Sequence, residues 1–398
     1  MNSIKNDFPL FENQSHSFVY LDNAATTQKP RIVLDAMNRW YQYHNANVHR
    51  GIYQLAEHAT TAYENARATV AHFINARPKE LVFVSGATAG INTFAHAWAL
   101  QQCTKGDEIV LTIAEHHANI LPWQYVAQTT GAVLKYIPLN DHKNGFDVTT
   151  INSVITSKTK LVAFSLSSHA MPLDMGYHAI IAQAREVGAT IFADAAQAVA
   201  HTQIDVKKID VDALVFSAHK MYGPTGIGAL YIHERLHNQL QPFMRGGGMI
   251  TLVEQQQAQW QQMPQLLEAG TPLLAQAVGF AAACEYILTV GFAYIMQHEQ
   301  KIMAYAIAQL QQLKHIMLLG KPSAQHHVLS FIIPGVHAHD VAALLDQAGI
   351  CARAGNHCAQ PLAQDLGYVG WIRVSIGMYT TQRDIDLLID QLKNSSDI

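Results

Sequence analysis

Charged side chains are scarce in this sequence. They account for 14% of its 398 residues, and the formal net charge is −4. Without a basic surplus there is no electrostatic basis for binding nucleic acid or an anionic membrane surface. No stretch approaches the ~20 apolar residues that a membrane-spanning helix needs, and residues 1–9 lack the basic start and apolar core of a signal peptide. We therefore expect a soluble, cytoplasmic protein that acts on small molecules.

Cysteine is also sparse and shows no metal-binding pattern. A protein of this size does not need disulfide bonds, and its four cysteines lie far apart; they are Cys103, Cys284, Cys351 and Cys358. No grouping of the 22 histidines with acidic residues is typical of a metal site. We therefore expect reduced thiols and no metal, and we interpret His326 and His327 as solvated loop residues.

The chain is too long for one ordinary single-core domain. Strand-like apolar runs alternate with helix-like segments, which is typical of an α/β fold with a mostly parallel sheet and helices on both faces. Further along, the pattern changes to a compact α+β unit. We predict an N-terminal segment (1–20) that packs with the small domain, a large α/β domain (21–285) and a small α+β domain (286–398).

The most informative stretch runs from residue 214 to residue 229. Its apolar start predicts a strand, and Lys220 follows in a turn before glycines that permit close backbone approach. Alone, Lys220 would be interpreted as a surface lysine. The preceding predicted strand, however, ends at Asp194, and a partly buried carboxylate needs a cationic partner. A Schiff-base lysine and an aspartate that keeps a pyridinium nitrogen charged are the two groups that pyridoxal phosphate chemistry requires.

Three other predicted strands also end in polar or small residues. One ends at Ser85-Gly86 and leads into a helix that begins near Thr88, where free N–H groups can bind phosphate, although many structural helix starts look the same. The others lead to His116 and His169, and a solvated histidine is an equally good interpretation of His116. Because ligands bind beyond the carboxyl ends of parallel strands, we expect one cleft to contain Thr88, His116, His169, Asp194 and Lys220.

Two loop residues are open to either a functional or a structural interpretation. Cys358 has His357 and Arg353 nearby, and positive neighbours favour the reactive thiolate, but a free surface cysteine is the simpler alternative. Arg50 lies in a polar loop, and its side chain is interpreted either as an anion ligand or as simply solvated. We interpret Cys284 as an inert core thiol.

Seven short motifs carry a resemblance to a known family. They begin at Tyr20 (YLDNAAT), Asn47 (NVHRG), Glu115 (EHHANILPW), Asp194 (DAAQAV), Ser217 (SAHKMYGPTGIG), Glu268 (EAGTP) and Arg353 (RAGNHCAQP). Through them nearly the whole chain resembles the pyridoxal phosphate-dependent cysteine desulfurases of the class V aminotransferase group. The last motif is similar to the group II branch. The resemblance implies a fold-type I transferase that forms a homodimer.

The resemblance also implies a set of cofactor-binding residues. Lys220 would form the Schiff base, Asp194 would pair with the pyridinium nitrogen, and Gln197 would hydrogen-bond the ring hydroxyl. His116 would stack on the ring, and the phosphate would be held by Thr88, Ser217 and His219. Thr271 would reach the cofactor of the neighbouring subunit, and Arg50 is a second candidate for that contact.

The activity that the resemblance implies is conversion of L-cysteine to L-alanine. Sulfur would pass to Cys358 as a persulfide, and then to an acceptor protein for iron–sulfur cluster assembly or other sulfur metabolism. Arg373 would pair with the substrate carboxylate, and the other candidate substrate ligands are Arg353, Arg50 and His169.

One departure from the family pattern leaves alternatives open. His169 stands where the family usually has asparagine, so the preferred substrate is undecided. A selenocysteine or cysteine-sulfinate lyase, in which Cys358 is dispensable, is the nearest alternative. A weakly active homologue that serves as a partner of sulfur-transfer proteins is the other.

Overall fold

The computed structural model describes residues 4–12, 14 and 18–393. Residues 1–3, 13 and 15–17 of the predicted N-terminal segment, and residues 394–398, lie outside the described residues. The largest sheet has seven strands, in the order Leu81–Val84, Gly228–Ile232, Ala213–Ser217, Thr190–Asp194, Thr159–Ser165, Glu108–Thr112 and Val133–Ile137. Gly228–Ile232 is antiparallel to both neighbours, and the other pairs are parallel.

Helices alternate with these strands and continue into the rest of the chain. The longer α-helices are Arg31–Arg39, Gln54–Phe73, Ala87–Phe94, Leu121–Thr130, Tyr177–Glu186, Leu274–Val290, Phe292–Leu310, Ala338–Gln347 and Gln382–Lys393. Shorter α-helices are Pro9–Glu12, Leu100–Gln102, Ile151–Val154, Val206–Ile209 and Gln360–Leu366. Two π-helical segments, Trp40–His44 and Ala95–Ala99, extend the helices that precede them.

Both faces of the large sheet are buried. Along one strand, Leu214 and Phe216 pack into one cluster, whereas Val215 between them packs into another with Trp123. Strands covered on both sides need continuous apolar sequence, and this is why residues 213–216 contain no polar side chain. The predicted α/β fold class with a mostly parallel sheet is confirmed.

A smaller antiparallel sheet lies in the C-terminal part of the chain. Its strands are Met317–Leu318, Val328–Ile332, Trp371–Ser375 and Arg353–Gly355. The neighbouring short strand Ile350–Cys351 does not join this sheet, because it pairs with Val19–Tyr20. A hairpin of Ile250–Val253 and Ala258–Trp260 completes the strands of the described residues.

The N-terminal residues contact both parts of the molecule. Lys5 forms an ion pair with Asp384 at 2.9 Å, and the buried ring of Phe8 packs against Tyr222 and Tyr379. The predicted limit at residue 285 falls inside helix Leu274–Val290, and the domain boundaries remain predictions.

Within the described residues, no single helix has both the length and the apolar composition to span a membrane. The consecutive helices Leu274–Val290 and Phe292–Leu310 meet those criteria only as a pair, which is bent by 76°.

Candidate active site

The carboxyl ends of the parallel strands meet at one edge of the large sheet, where a cavity of about 320 Å³ opens. This volume is within the range of small-molecule sites. Most of the predicted site residues line the cavity: Thr88, His116, His169, Asp194, Gln197, Ser217, His219, Lys220, Arg353, Cys358 and Arg373. Arg50 and Thr271 do not line it, and both are exposed in the single chain.

Lys220 and Asp194 approach each other inside this cleft from neighbouring parallel strands. Burial lowers the pKa of Lys220, and the charge of Asp194 opposes that change. Burial raises the pKa of Asp194, and the charge of Lys220 opposes it in turn. The N–H of Ala196 donates to Asp194 Oδ1 at 2.9 Å. A buried carboxylate suits a cationic ring nitrogen, and a lysine of lowered pKa suits covalent catalysis.

Backbone packing builds an anion-binding end of the cleft. Helix Ala87–Phe94 begins after Gly86, and the N–H of Ala87 donates to Ser217 Oγ at 2.8 Å. A Cβ atom on Gly228 would come within 2.8 Å of the Gly86 Cα and 2.5 Å of a backbone oxygen, so only glycine permits this approach. The helix start and the hydroxyl of Ser217 together suit a phosphate group.

Two arginines that line the cleft share one carboxylate. Arg373 is buried, and its Nη2 donates to Asp22 Oδ1 at 2.9 Å, while its Nη1 donates to the His169 carbonyl at 2.7 Å. The half-exposed Arg353 donates to Asp22 Oδ2 at 2.9 Å. Arg373 Nε is buried without a hydrogen-bond partner in the described part of the chain. Asp22 was not among the predicted site residues, although it lies in the YLDNAAT motif.

His116 and His169 form an edge-to-face pair with ring centroids 4.8 Å apart. Burial lowers the pKa of His116 to about 4, with a smaller effect of the Lys220 charge, and burial and His116 hold the pKa of His169 well below its usual range. Both rings are therefore neutral near pH 7. The N–H of Ala118 donates to His116 Nδ1 at 3.0 Å, and His169 Nε2 is buried with no hydrogen-bond partner among the described residues.

Glu115, which was not among the predicted site residues, connects the ends of the two strands that lead to these histidines. It accepts a hydrogen bond from the Ser165 N–H at 3.0 Å and another from Asn119 Nδ2 at 2.7 Å. Burial raises the pKa of Glu115 to about 7, although its hydrogen bonds lower it. Its place immediately before His116 in the EHHANILPW motif was the available signal.

Cys358 is exposed at the mouth of the cleft, in the short connection between strand Arg353–Gly355 and helix Gln360–Leu366. Its backbone is left-handed, with φ 60°. The connection is held to His117 at Cys358 and just after it, because the N–H of His117 donates to the Cys358 carbonyl at 2.9 Å and the N–H of Gln360 donates to His117 Nε2 at 3.1 Å. Cys284 is buried in the core, as predicted.

The interpretation of His326 and His327 as solvated loop residues was wrong. His327 is buried, its ring stacks on His201, and its Nε2 lies 3.2 Å from Gln197 Oε1. His326 is partly buried and contacts the Leu173 carbonyl. These residues immediately precede strand Val328–Ile332. The two histidines therefore pack against residues that follow strands Thr159–Ser165 and Thr190–Asp194.

Comparison with known proteins agrees with this geometry. The family described as "Aminotransferase class-V" matches residues 19–388, and the chain belongs to that family. A probable cysteine desulfurase of Streptomyces coelicolor is 42% identical, with 98% of this chain and 96% of that protein covered, and one of Staphylococcus epidermidis is 41% identical, with 100% and 97% covered. Within the family, the chain is therefore a member of the cysteine desulfurases.

Solved structures give the same result. The apo structure of a cysteine desulfurase from Thermococcus onnurineus has a TM-score of 0.94 at 35% identity, with 99% of this chain and 98% of that chain covered. The cysteine desulfurase CsdA from Escherichia coli has a TM-score of 0.91 at 35% identity, with 99% and 97% covered. The predicted family, fold type, cysteine desulfurase activity and pyridoxal phosphate cofactor are confirmed.

The cleft has the chemistry that this cofactor needs. Its ring nitrogen suits the buried Asp194, its aldehyde suits Lys220, and its phosphate suits the helix start at Gly86. His169 and Arg373 also line this cleft, and each has a buried nitrogen without a hydrogen-bond partner in the described part of the chain.

Proposed function

We propose that this protein takes sulfur from L-cysteine onto Cys358 as a persulfide and releases L-alanine. The observation that carries the proposal is the position of Cys358, which lines the same cavity as Lys220 and is also exposed to solvent. A sulfur carrier must reach both the substrate inside the cleft and an acceptor outside it.

In this proposal, Arg373 and Arg353 bind the substrate. Arg373 binds the substrate carboxylate, because its guanidinium is buried, pre-oriented by Asp22 and left with an unpartnered Nε. Arg353 contributes from the exposed side of the cleft, and His169 donates from its neutral ring. Because Asp22 fixes both guanidinium groups before substrate arrives, little side-chain entropy is lost on binding.

Proton transfer falls to Lys220. Bound pyridoxal phosphate supplies an electron sink for a carbanion at the substrate α-carbon. The neutral Lys220 amine removes the α-proton and later returns protons that complete alanine, since its lowered pKa favours the neutral base. Asp194 would keep the ring nitrogen protonated, His116 would stack on the ring, and Gln197 would donate to the ring oxygen. The phosphate would be held by Thr88, Ser217 and His219.

Sulfur transfer falls to Cys358. Its thiolate attacks the substrate sulfur, so that an S–S bond forms while the C–S bond breaks and leaves its electron pair on the carbon side. Arg353 and Arg373 line the same cavity and lie close enough to Cys358 to interact with it electrostatically. Because the connection around Cys358 is short and tied to His117, the acceptor protein must approach the thiol at the surface.

A homodimer is part of the proposal. The stretch of chain around Arg50 carries several exposed apolar side chains, which are Tyr41, Tyr43, Ile52, Tyr53 and Leu55. Exposed apolar side chains of this kind are typical of a subunit interface. Arg50 and Thr271 would then reach the neighbouring subunit's cleft. Sedimentation that shows only monomer at assay concentrations would exclude this arrangement.

The cellular setting is also a proposal. All four cysteines lie in the described part of the chain, and all are free thiols. Thiols persist in the reducing cytoplasm. We place the protein there, with persulfide sulfur passing to an acceptor protein for iron–sulfur cluster assembly or other sulfur metabolism.

The decisive experiment measures alanine and protein persulfide formed from L-cysteine by wild type, Cys358→Ala and Cys351→Ala, with and without dithiothreitol. Cys351 is the matched control because it lies on a strand outside the cavity. We expect persulfide and alanine from wild type and Cys351→Ala, and only background from Cys358→Ala.

Other outcomes identify the alternatives. Alanine from selenocysteine or cysteine sulfinate that is insensitive to Cys358→Ala would support the lyase and contradict the persulfide route. A pure protein that binds no cofactor would support the weakly active homologue.

A further inference from the structure

The side-chain amide of Gln197 has a defined orientation. Its Nε2 donates to the Ala24 carbonyl at 2.7 Å, which only the nitrogen end of the amide can do. The oxygen end, Oε1, therefore points to His327 Nε2 at 3.2 Å. Gln197 lines the active-site cleft, so the second N–H of its amide remains for a group bound there.

This orientation also determines the tautomer of His327. An amide oxygen only accepts hydrogen bonds, so His327 Nε2 must carry a proton. Burial, with a smaller effect of His201, holds the pKa of His327 well below its usual range. The neutral ring has a single N–H, and that N–H is directed at Gln197.

The ring of His327 is itself held in place from behind. It stacks on the ring of His201, with centroids 4.0 Å apart and planes 14° from parallel. His201 Nδ1 lies 2.8 Å from Glu299 Oε2 and is thereby fixed to a carboxylate. These contacts connect helix Phe292–Leu310 to the active-site cleft through two histidines.

A second cavity of about 700 Å³ reaches the back of this arrangement. Its lining includes Gln197, His201 and His327, and its rim includes the exposed residues His178 and Gln325. Gln197 thus separates the active-site cleft from a space that small molecules can enter from solvent.

We propose that His327 is a positioning residue that holds the Gln197 amide so that an N–H, and not the carbonyl oxygen, faces the cofactor's ring oxygen. The inference rests on the proposed role of Gln197 as a cofactor ligand. Because a phenolate-type oxygen is an acceptor, a reversed amide would repel it. His201 and Glu299 support the histidine and do not contact the cleft.

The test compares holoenzyme variants that differ only in the donor. His327→Phe keeps a flat ring over His201 but removes the N–H, whereas His327→Gln places an amide N–H where Nε2 lies. The readouts are the visible absorbance spectrum of bound pyridoxal phosphate and its dissociation constant. We expect a changed spectrum and about tenfold weaker binding for His327→Phe, as for one lost hydrogen bond. His327→Gln should resemble wild type.

Gln197→Leu separates the inference from the proposed function. If Gln197→Leu has the wild-type spectrum, the role of Gln197 as a ligand fails. If Gln197→Leu changes the spectrum but His327→Phe does not, the role of His327 is refuted and the role of Gln197 stands. The same conclusion follows if His327→Gln is as impaired as His327→Phe. Should His327→Phe not fold, His327→Ala offers a second test, since imidazole can enter through the second cavity. Recovery of the spectrum with imidazole supports the inference, and no recovery overturns it.

Discussion

Replacement of Arg67 by methionine is the sharpest stability test of this structure. The Arg67 side chain is 1% exposed, and its guanidinium donates two hydrogen bonds to Glu268, at 2.6 Å and 2.8 Å. Burial would lower the pKa of Arg67, but the charge of Glu268 and the hydrogen bonds to Glu268 and Glu64 together outweigh burial and raise the pKa. Glu268 also accepts hydrogen bonds from the Phe83 N–H and the Tyr63 hydroxyl.

The expected cost of Arg67→Met follows from the carboxylate that is left behind. Methionine retains the apolar stem but leaves Glu268 buried with only its two neutral donors. Breaking a buried ion pair from one side costs about 3–5 kcal/mol in free energy of unfolding. Because Glu268 precedes Thr271 by three residues, the same change should loosen the segment that we propose reaches the neighbouring cleft.

Urea denaturation, followed by both circular dichroism and tryptophan fluorescence, measures this cost. Arg31→Met is the control, since Arg31 forms an exposed pair with Glu12 and its loss should leave the midpoint unchanged. Arg67→Met combined with Glu268→Gln should recover part of the loss, because no buried charge then remains unpaired. Equal midpoints for Arg67→Met and Arg31→Met would refute the reasoning.

Three further predictions concern the active site. Lys220→Ala should abolish the visible band of lysine-bound cofactor and lower alanine formation by about 10²–10⁴-fold, and an unchanged spectrum would contradict the assignment. Asp194→Asn should lower the rate by on the order of 10²–10³-fold while cofactor still binds, because a neutral amide does not stabilise ring charge; a wild-type rate would contradict it. His116 is held neutral by its pKa of about 4, against an ordinary 6.5, so its contribution to stability is complete above pH 6.5 and is lost as the pH falls through about 4. When the pH is lowered from 6.5 to 4, the free energy of unfolding of wild type should fall by about 3 kcal/mol more than that of His116→Asn, as measured by denaturation at each pH. Equal decreases in the two proteins would contradict the lowered pKa of His116.

Much of the fold and many of the cleft residues were predictable because they follow from local patterns. Strands such as Ala213–Ser217 are short, continuous apolar runs, and a parallel sheet necessarily brings their carboxyl ends to one edge. The sequence pattern alone therefore predicts that Lys220 and Asp194 lie in one cleft. The motifs around them were specific enough to indicate the family.

The contacts that orient those residues depend on pairs that are distant in the chain. Asp22 lies 331 residues from Arg353 and 351 residues from Arg373, so no local pattern indicates that one carboxylate serves both guanidinium groups. His327 looked solvated because its neighbours are polar, yet it is buried against Gln197, 130 residues away. The residue types needed for the chemistry are thus recorded locally in the amino-acid sequence. Their protonation, tautomers and orientation were decided only by tertiary packing, because burial and distant partners set the electrostatic environment of each group.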